Sequence, residues 1–144
     1  MHCPKDQSEM FKKNYEKDVE VDICTECGGI WLDHGELEAI QSIRENDYRE
    51  QVKEAPDFLR QAEELARQKE SPHLTCPHCA VEMARREYGY TSQILIDVCS
   101  SCGGVWLDPG ELSALEIFFE RSRVEAANRP HWILAGIKKL LASD

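Results

Sequence analysis

Seven cysteines carry the chemistry of this chain. Four of them form two pairs of equal spacing, Cys76-Pro77-His78-Cys79 and Cys99-Ser100-Ser101-Cys102. A C-x-x-C turn points two thiolates at one tetrahedral ion, and two such turns a hairpin's length apart complete a four-thiolate set. A disulfide or a redox dithiol would use the same residues. The odd number of cysteines, the lack of a signal-peptide hydrophobic segment and the lack of a βαβ pattern around either pair favour metal. With every coordination position filled by protein, the expected site is structural. The remaining three cysteines repeat the arrangement with one replacement, since Cys3-Pro4-Lys5-Asp6 stands where the other copy has Cys76 to Cys79. Carboxylate is an accepted zinc donor, so the expected first set is Cys3, Asp6, Cys24 and Cys27. His2 and His34 are rivals for the fourth place because imidazole is the better donor, and three thiolates with a water is the remaining alternative. Two Zn²⁺ per chain are expected, with iron compatible with the spacing.

These donors need small elements to position them. Each later pair runs into Gly-Gly, Gly28-Gly29 and Gly103-Gly104, where the chain must reverse and a Cβ is expected to crowd the metal. Trp31-Leu32 and Trp106-Leu107 follow, expected as the small core joining each ribbon to its own helix. Asp108-Pro109-Gly110-Glu111 reads as a helix start, with Asp108 as N-cap, Pro109 at N1 and Glu111 at N3 reaching back to the cap; Asp33 and Glu36 repeat it. That reading is preferred to a catalytic pair of carboxylates. Between the cysteine pairs, Val19, Val21 and Ile23 alternate with Glu20 and Asp22, the period of a strand with one buried face, and Met10 to Tyr15 is its expected partner. Ile94, Ile96 and Val98 alternate with Leu95 and Asp97 in the same way, with Tyr88-Gly89-Tyr90 at the turn.

The rest of the chain reads as helix. Leu37, Ile40 and Ile43 share one stripe, Pro56 interrupts, and Asp57 caps a second helix bearing Phe58, Leu59, Ala62, Leu65 and Ala66 on one face. Leu112, Leu115, Ile117, Phe118 and Phe119 make the helix after the second ribbon apolar on more than one side. From 131 to 141, Trp132, Ile133, Gly136, Ile137, Leu140 and Leu141 line one face with Lys138 and Lys139 opposite.

At 144 residues the chain is long enough for one ordinary domain, but each repeat with its helix is too short to bury a self-sufficient core. Metal is expected to supply the difference, with two small cores joined by a solvated helix. The formal net charge of −10, from 27 acidic and 17 basic residues, disfavours autonomous nucleic-acid binding, which depends on neutralising phosphates. No apolar run approaches a membrane span. The cytoplasm, where thiols stay reduced and available to metal, is the expected location.

The pattern C-P-x-C or C-P-x-D followed by C-x-x-C-G-G-x-W-L-D-x-G-E-L, over residues 3–37 and 76–112, resembles the bacterial zinc-ribbon family named for the ribbon of transcription factor IIB. The resemblance implies a zinc-binding module, and the family's name suggests transcription. The expected fold is small α+β: two tandem zinc ribbons, each followed by a helix, joined by a helical linker and ending in an amphipathic helix. The expected divisions are 1–45 for the first ribbon and helix, 46–72 for the linker, 73–127 for the second ribbon and helix, and 128–144 for the amphipathic helix. The function expected is that of a non-enzymatic adaptor contacting a protein partner through residues 130–142, with transcription or translation machinery as the setting. A nucleic-acid-binding transcription regulator is the alternative.

Overall fold

The computed structural model describes residues 1–15, 19–42, 58–89 and 92–128. Two hairpins form where the alternating residues lie. Strand β1 (Phe11–Tyr15) pairs with β2 (Val19–Ile23), and β4 (Ala84–Glu87) pairs with β5 (Leu95–Val98), both antiparallel. Each hairpin gains a short third strand, β3 (Ile30–Leu32) and β6 (Val105–Leu107). Helix α1 (Glu36–Ser42) follows the first ribbon, α2 (Phe58–Glu70) lies between the ribbons, and α3 (Glu111–Asn128) follows the second. The small α+β layout expected from the repeat is therefore the one observed. Ile43, Pro56, Asp57 and the whole amphipathic segment 130–142 lie outside the described residues.

The two ribbons do not stand apart. Strands β3 and β6 pair antiparallel, with Ile30 opposite Leu107, Trp31 opposite Trp106 and Leu32 opposite Val105. The result is one six-stranded sheet in the order β1-β2-β3-β6-β5-β4, in which each repeat mirrors the other across the central pair. The expected pair of separate cores becomes two clusters, each shared by both repeats. One gathers Val21, Leu32, Leu37 and Ile40 with Ile96, Leu107, Leu112 and Leu115. The other gathers Trp31, Trp106, Met10, Met83 and four cysteines. A three-stranded ribbon is too small to cover its own indole, so each covers the other's, and both tryptophans are fully buried.

Two further expectations are corrected by the same sheet. Asp22 and Asp97 were assigned to a solvent face, yet both are buried. Each lies opposite a basic residue across its hairpin, Lys12 and Arg85, and opposite a buried tryptophan on the other side. Arg85 donates through Nε to Asp97 Oδ1 at 3.1 Å and through its two terminal nitrogens to the carbonyls of Gln68, Ser71 and Pro72. It thereby ties the last turn of α2 to the sheet, where the helix leaves carbonyls unpaired. Of the apolar face expected of α2, Leu59, Ala62 and Ala66 are exposed and Leu65 is half-buried, while the Phe58 side chain lies outside the described residues.

The helix starts also differ from expectation. Asp33 to Glu36 and Asp108 to Glu111 are β-turns closed by the Glu amide on the Asp carbonyl, at 3.0 and 3.1 Å, with Gly35 and Gly110 at φ of +90° and +85°. Proline second and a positive-φ glycine third is the pattern of a type II turn, so Pro109 serves the turn and the helix begins at the Glu. The Glu carboxylates do reach back as expected, each accepting the Asp amide at 2.7 Å. The Asp side chains instead accept the indole N–H of Trp31 and Trp106, at 3.1 and 3.2 Å.

Burial of Glu111, with Asp108 beside it, pushes its carboxyl up to about 8 from an ordinary 4.5. A group whose folded pKa lies above its unfolded value stabilises the fold below the lower value and loses that contribution as pH rises through the upper one. Glu111→Gln keeps a carbonyl to accept the Asp108 amide. We expect its melting temperature to match the parent at pH 5 and to exceed it at pH 9, both proteins being zinc-loaded. A difference that does not change with pH would contradict the assignment.

The long helix α3 buries Leu112, Leu115 and Phe119, and Tyr88 meets Phe118 and Phe119 edge-on. Its Glu116 accepts the Tyr15 hydroxyl at 2.6 Å, a contact from the second repeat's helix to the first repeat's hairpin. Among the described residues no helix is long and apolar enough to cross a membrane.

Candidate metal centres

All four short cysteine-bearing loops share one backbone shape. In each, the amide after the second donor bonds the carbonyl of the first: Gln7 to Cys3 at 2.9 Å, Gly28 to Cys24 at 2.8 Å, Ala80 to Cys76 at 3.0 Å and Gly103 to Cys99 at 2.9 Å. All four of those residues have positive φ, from 59° to 80°. Amides turn toward sulfur: Lys5 N lies 3.4 Å from Cys3 Sγ, Cys27 N 3.4 Å from Cys24 Sγ and Cys79 N 3.3 Å from Cys76 Sγ. Asp6 therefore sits in a loop folded like the three that carry two thiols.

These loops bring the eight expected side chains together as two sets, Cys76, Cys79, Cys99 and Cys102, and Cys3, Asp6, Cys24 and Cys27. Within each set the donor atoms all lie within 4.8 Å of one another. Zn–S bonds of about 2.3 Å at tetrahedral angles put sulfurs about 3.8 Å apart. Cys76 and Cys102 are 3.8 Å apart, and Cys3 and Cys27 are 3.7 Å apart. Replacing one thiolate by carboxylate shortens that edge to about 3.5 Å, and Asp6 Oδ2 lies 3.4 Å from Cys24 Sγ. Both donor sets fit a tetrahedral zinc, and neither requires a water to complete it. His2 and His34 belong to neither set: His2 is exposed beside Glu9, and the His34 ring lies over Gly103.

One residue that sequence reasoning missed shapes the first centre. Ser8 donates its amide, at 2.9 Å, and its hydroxyl to Asp6 Oδ1, and its oxygen lies 3.1 Å from Cys24 Sγ. These bonds hold the Asp6 carboxyl down at about 2, fixing it as an anion with its other oxygen turned to the thiols. An Asp followed two positions later by Ser is the signal of a local side-chain turn. Outer partners of this kind orient metal donors.

Electrostatics of the bare thiols point the same way. Burial pushes Cys3 and Cys79 up to about 12, because neighbouring sulfurs cannot all ionise in a shielded site. Cys99 stands at about 7 despite its burial, since the amides of Cys102 and Ser101 turn toward it. A dication is what allows four such donors to be anionic together, and its binding releases their protons.

The second glycine of each pair, Gly29 or Gly104, is explained by packing and not by the metal. Gln7 and Ala80 adopt the same positive φ with side chains, so the loop itself tolerates a Cβ. A Cβ on Gly29 would lie 2.1 Å from Trp106 Cζ2, and one on Gly104 would lie 2.1 Å from Trp31 Cζ2. The expectation that a Cβ would crowd the ion is replaced by this: it would strike the other repeat's indole.

The family model described as transcription factor zinc-finger, of the transcription-factor-IIB zinc-ribbon type, matches residues 2–42 and 75–116, more than half of the chain. No curated protein and no solved structure matches the chain significantly. The matched stretches hold all eight donors, so the two centres are zinc sites of a tandem ribbon, and the chain belongs to the transcription-factor-IIB-type zinc-ribbon family.

Proposed function

We propose that this chain is a non-enzymatic adaptor whose zinc ions hold a rigid sheet for presentation to a protein partner. The observation that supports this reading is that four protein donors gather at each centre, all within 4.8 Å of one another. A metal with four protein ligands offers no position to a substrate or an activated water, so its work is folding. The ligands proposed are Cys3, Asp6, Cys24 and Cys27 for one ion and Cys76, Cys79, Cys99 and Cys102 for the other. Residues 130–142, in whose sequence Trp132, Ile133, Ile137, Leu140 and Leu141 recur at helical spacing, are the proposed contact for the partner, in transcription or translation machinery. The cytoplasm is the proposed setting, because the thiols must stay reduced.

The nucleic-acid alternative is opposed by charge. Seven thiolates outweigh two dications, so the loaded chain is more acidic than its formal −10. Two measurements separate the readings. A gel shift with the zinc-loaded chain is expected to show no binding that falls steeply with salt, and tight salt-sensitive binding would overturn the adaptor reading. Purification of transcription and translation complexes with the full chain, and with a chain ending at 129, is expected to lose association only in the shorter protein. Equal recovery with both would remove the tail from the account.

A further inference from the structure

We infer that the two zinc centres form one cooperative unit, because the loop that binds each ion is held in place by the other repeat. The contacts come in crossed pairs. The indole of Trp31 lies against Gly104, two residues after Cys102, and the indole of Trp106 lies against Gly29, two residues after Cys27. His34 lies over Gly103, and Pro109 lies near Gly28 at ordinary contact distance. Lys5, between Cys3 and Asp6, pairs with Asp108 at 2.6 Å. His78, between Cys76 and Cys79, lies 3.5 Å from Asp33. Asp33 and Asp108 are also the acceptors that fix the indoles of Trp31 and Trp106.

Strands β3 and β6, with the helix-leading turn that follows each, thus carry a tryptophan and an aspartate directed at the opposite repeat's donor loops. A centre that loses its ion has no intrinsic reason to keep four donors at tetrahedral spacing, since each of its two loops fixes only its own pair of donors. When it relaxes, the surface against which the opposite tryptophan packs goes with it. The central pair β3 and β6 carries the same dependence, as Trp31 and Trp106 are register partners on it. Binding at one centre therefore raises affinity at the other, and linkage makes the effect reciprocal. The ions act as a pair although their donors never mix.

The inference rests on both centres holding metal, and its test separates that reading from the coupling. Cadmium-113 is the probe, bound by the full chain in place of zinc, since a four-sulfur and a three-sulfur-one-oxygen environment resonate at distinct shifts. Two resonances establish two metal centres, and a single one would overturn that premise and the coupling with it. The coupling is read by competition with a chelator. Trp31→Phe shortens the ring that reaches Gly104 and is expected to weaken retention at the Cys76, Cys79, Cys99 and Cys102 centre by about tenfold, more than at its own repeat's centre. Trp106→Phe is expected to do the reverse. Cys24→Ser, which impairs the first centre, is expected to lower affinity at the second by a similar factor. If each tryptophan variant weakens only the centre in its own repeat, or both centres equally, the crossed packing does not couple them. An unchanged second centre in Cys24→Ser would overturn the inference as well.

Discussion

Stripping both zinc ions is expected to unfold the sheet throughout, with loss of its circular dichroism and of the dispersed amide resonances. A structural zinc contributes about 10–16 kcal/mol of apparent binding free energy at neutral pH, while a whole domain is commonly stable by only about 5–15 kcal/mol. The deficit has a visible cause. Cys3, Cys24, Cys76 and Cys99 are themselves core residues, clustered with Trp31, Trp106, Met10 and Met83. Without an ion these sulfurs are apolar filler in a cluster too small to stand alone. The packing around them then has nothing to hold the donor loops together. Readdition of zinc is expected to restore the spectrum. A metal-free chain that keeps its sheet and melts within a few degrees of the loaded one would contradict this.

The second large effect comes from a single methyl group. Gly29→Ala and Gly104→Ala each place a Cβ 2.1 Å from the opposite tryptophan, far inside van der Waals contact. Neither indole can swing aside, being fully buried and tied through its N–H to Asp33 or Asp108. Overpacking a close-fitted core costs about 1–3 kcal/mol and at times more. Here the clash falls on the strand pair joining the repeats, so about 3 kcal/mol or more is expected. Gly35→Ala is the control, since a Cβ there meets nothing within 4 Å. Its φ of +90° limits the expected loss to about 1–2 kcal/mol of backbone strain. Denaturant unfolding of the three zinc-loaded variants gives the order. Equal losses in all three would mean that backbone conformation and not the crossed indoles explains the glycines.

How much of this was legible depended on the range of the signal. The donors were legible because metal geometry imposes short spacings, two residues inside each loop, that survive in one dimension. The hairpins were legible because Val19 to Ile23 and Ile94 to Val98 alternate as half-buried strands do. Strands β3 and β6 were missed because three residues give no period to count, although Ile-Trp-Leu and Val-Trp-Leu are strand-favouring sets. Their pairing is a contact between distant repeats, and nothing local announces it. The same blindness put Asp22 and Asp97 on a solvent face, since the alternation cannot show that Lys12 and Arg85 cover them. Glycine at 29 and 104 was noticed for the wrong neighbour: the loop was visible in the sequence, and the indole from the other repeat was not. Asp6 was found from repeat alignment, whereas Ser8, which orients it, needed the geometry of the turn.

The central claim is that seven thiolates and one carboxylate make two zinc centres in one chain. Mass spectrometry of the intact protein under non-denaturing conditions counts the ions directly, and the accompanying mass tells zinc from iron. The predicted result is two zinc ions per chain in the parent and, because Asp6 supplies the fourth donor of the first centre, a deficit in Asp6→Ala. One zinc ion per chain in the parent, with no change in Asp6→Ala, would contradict the account.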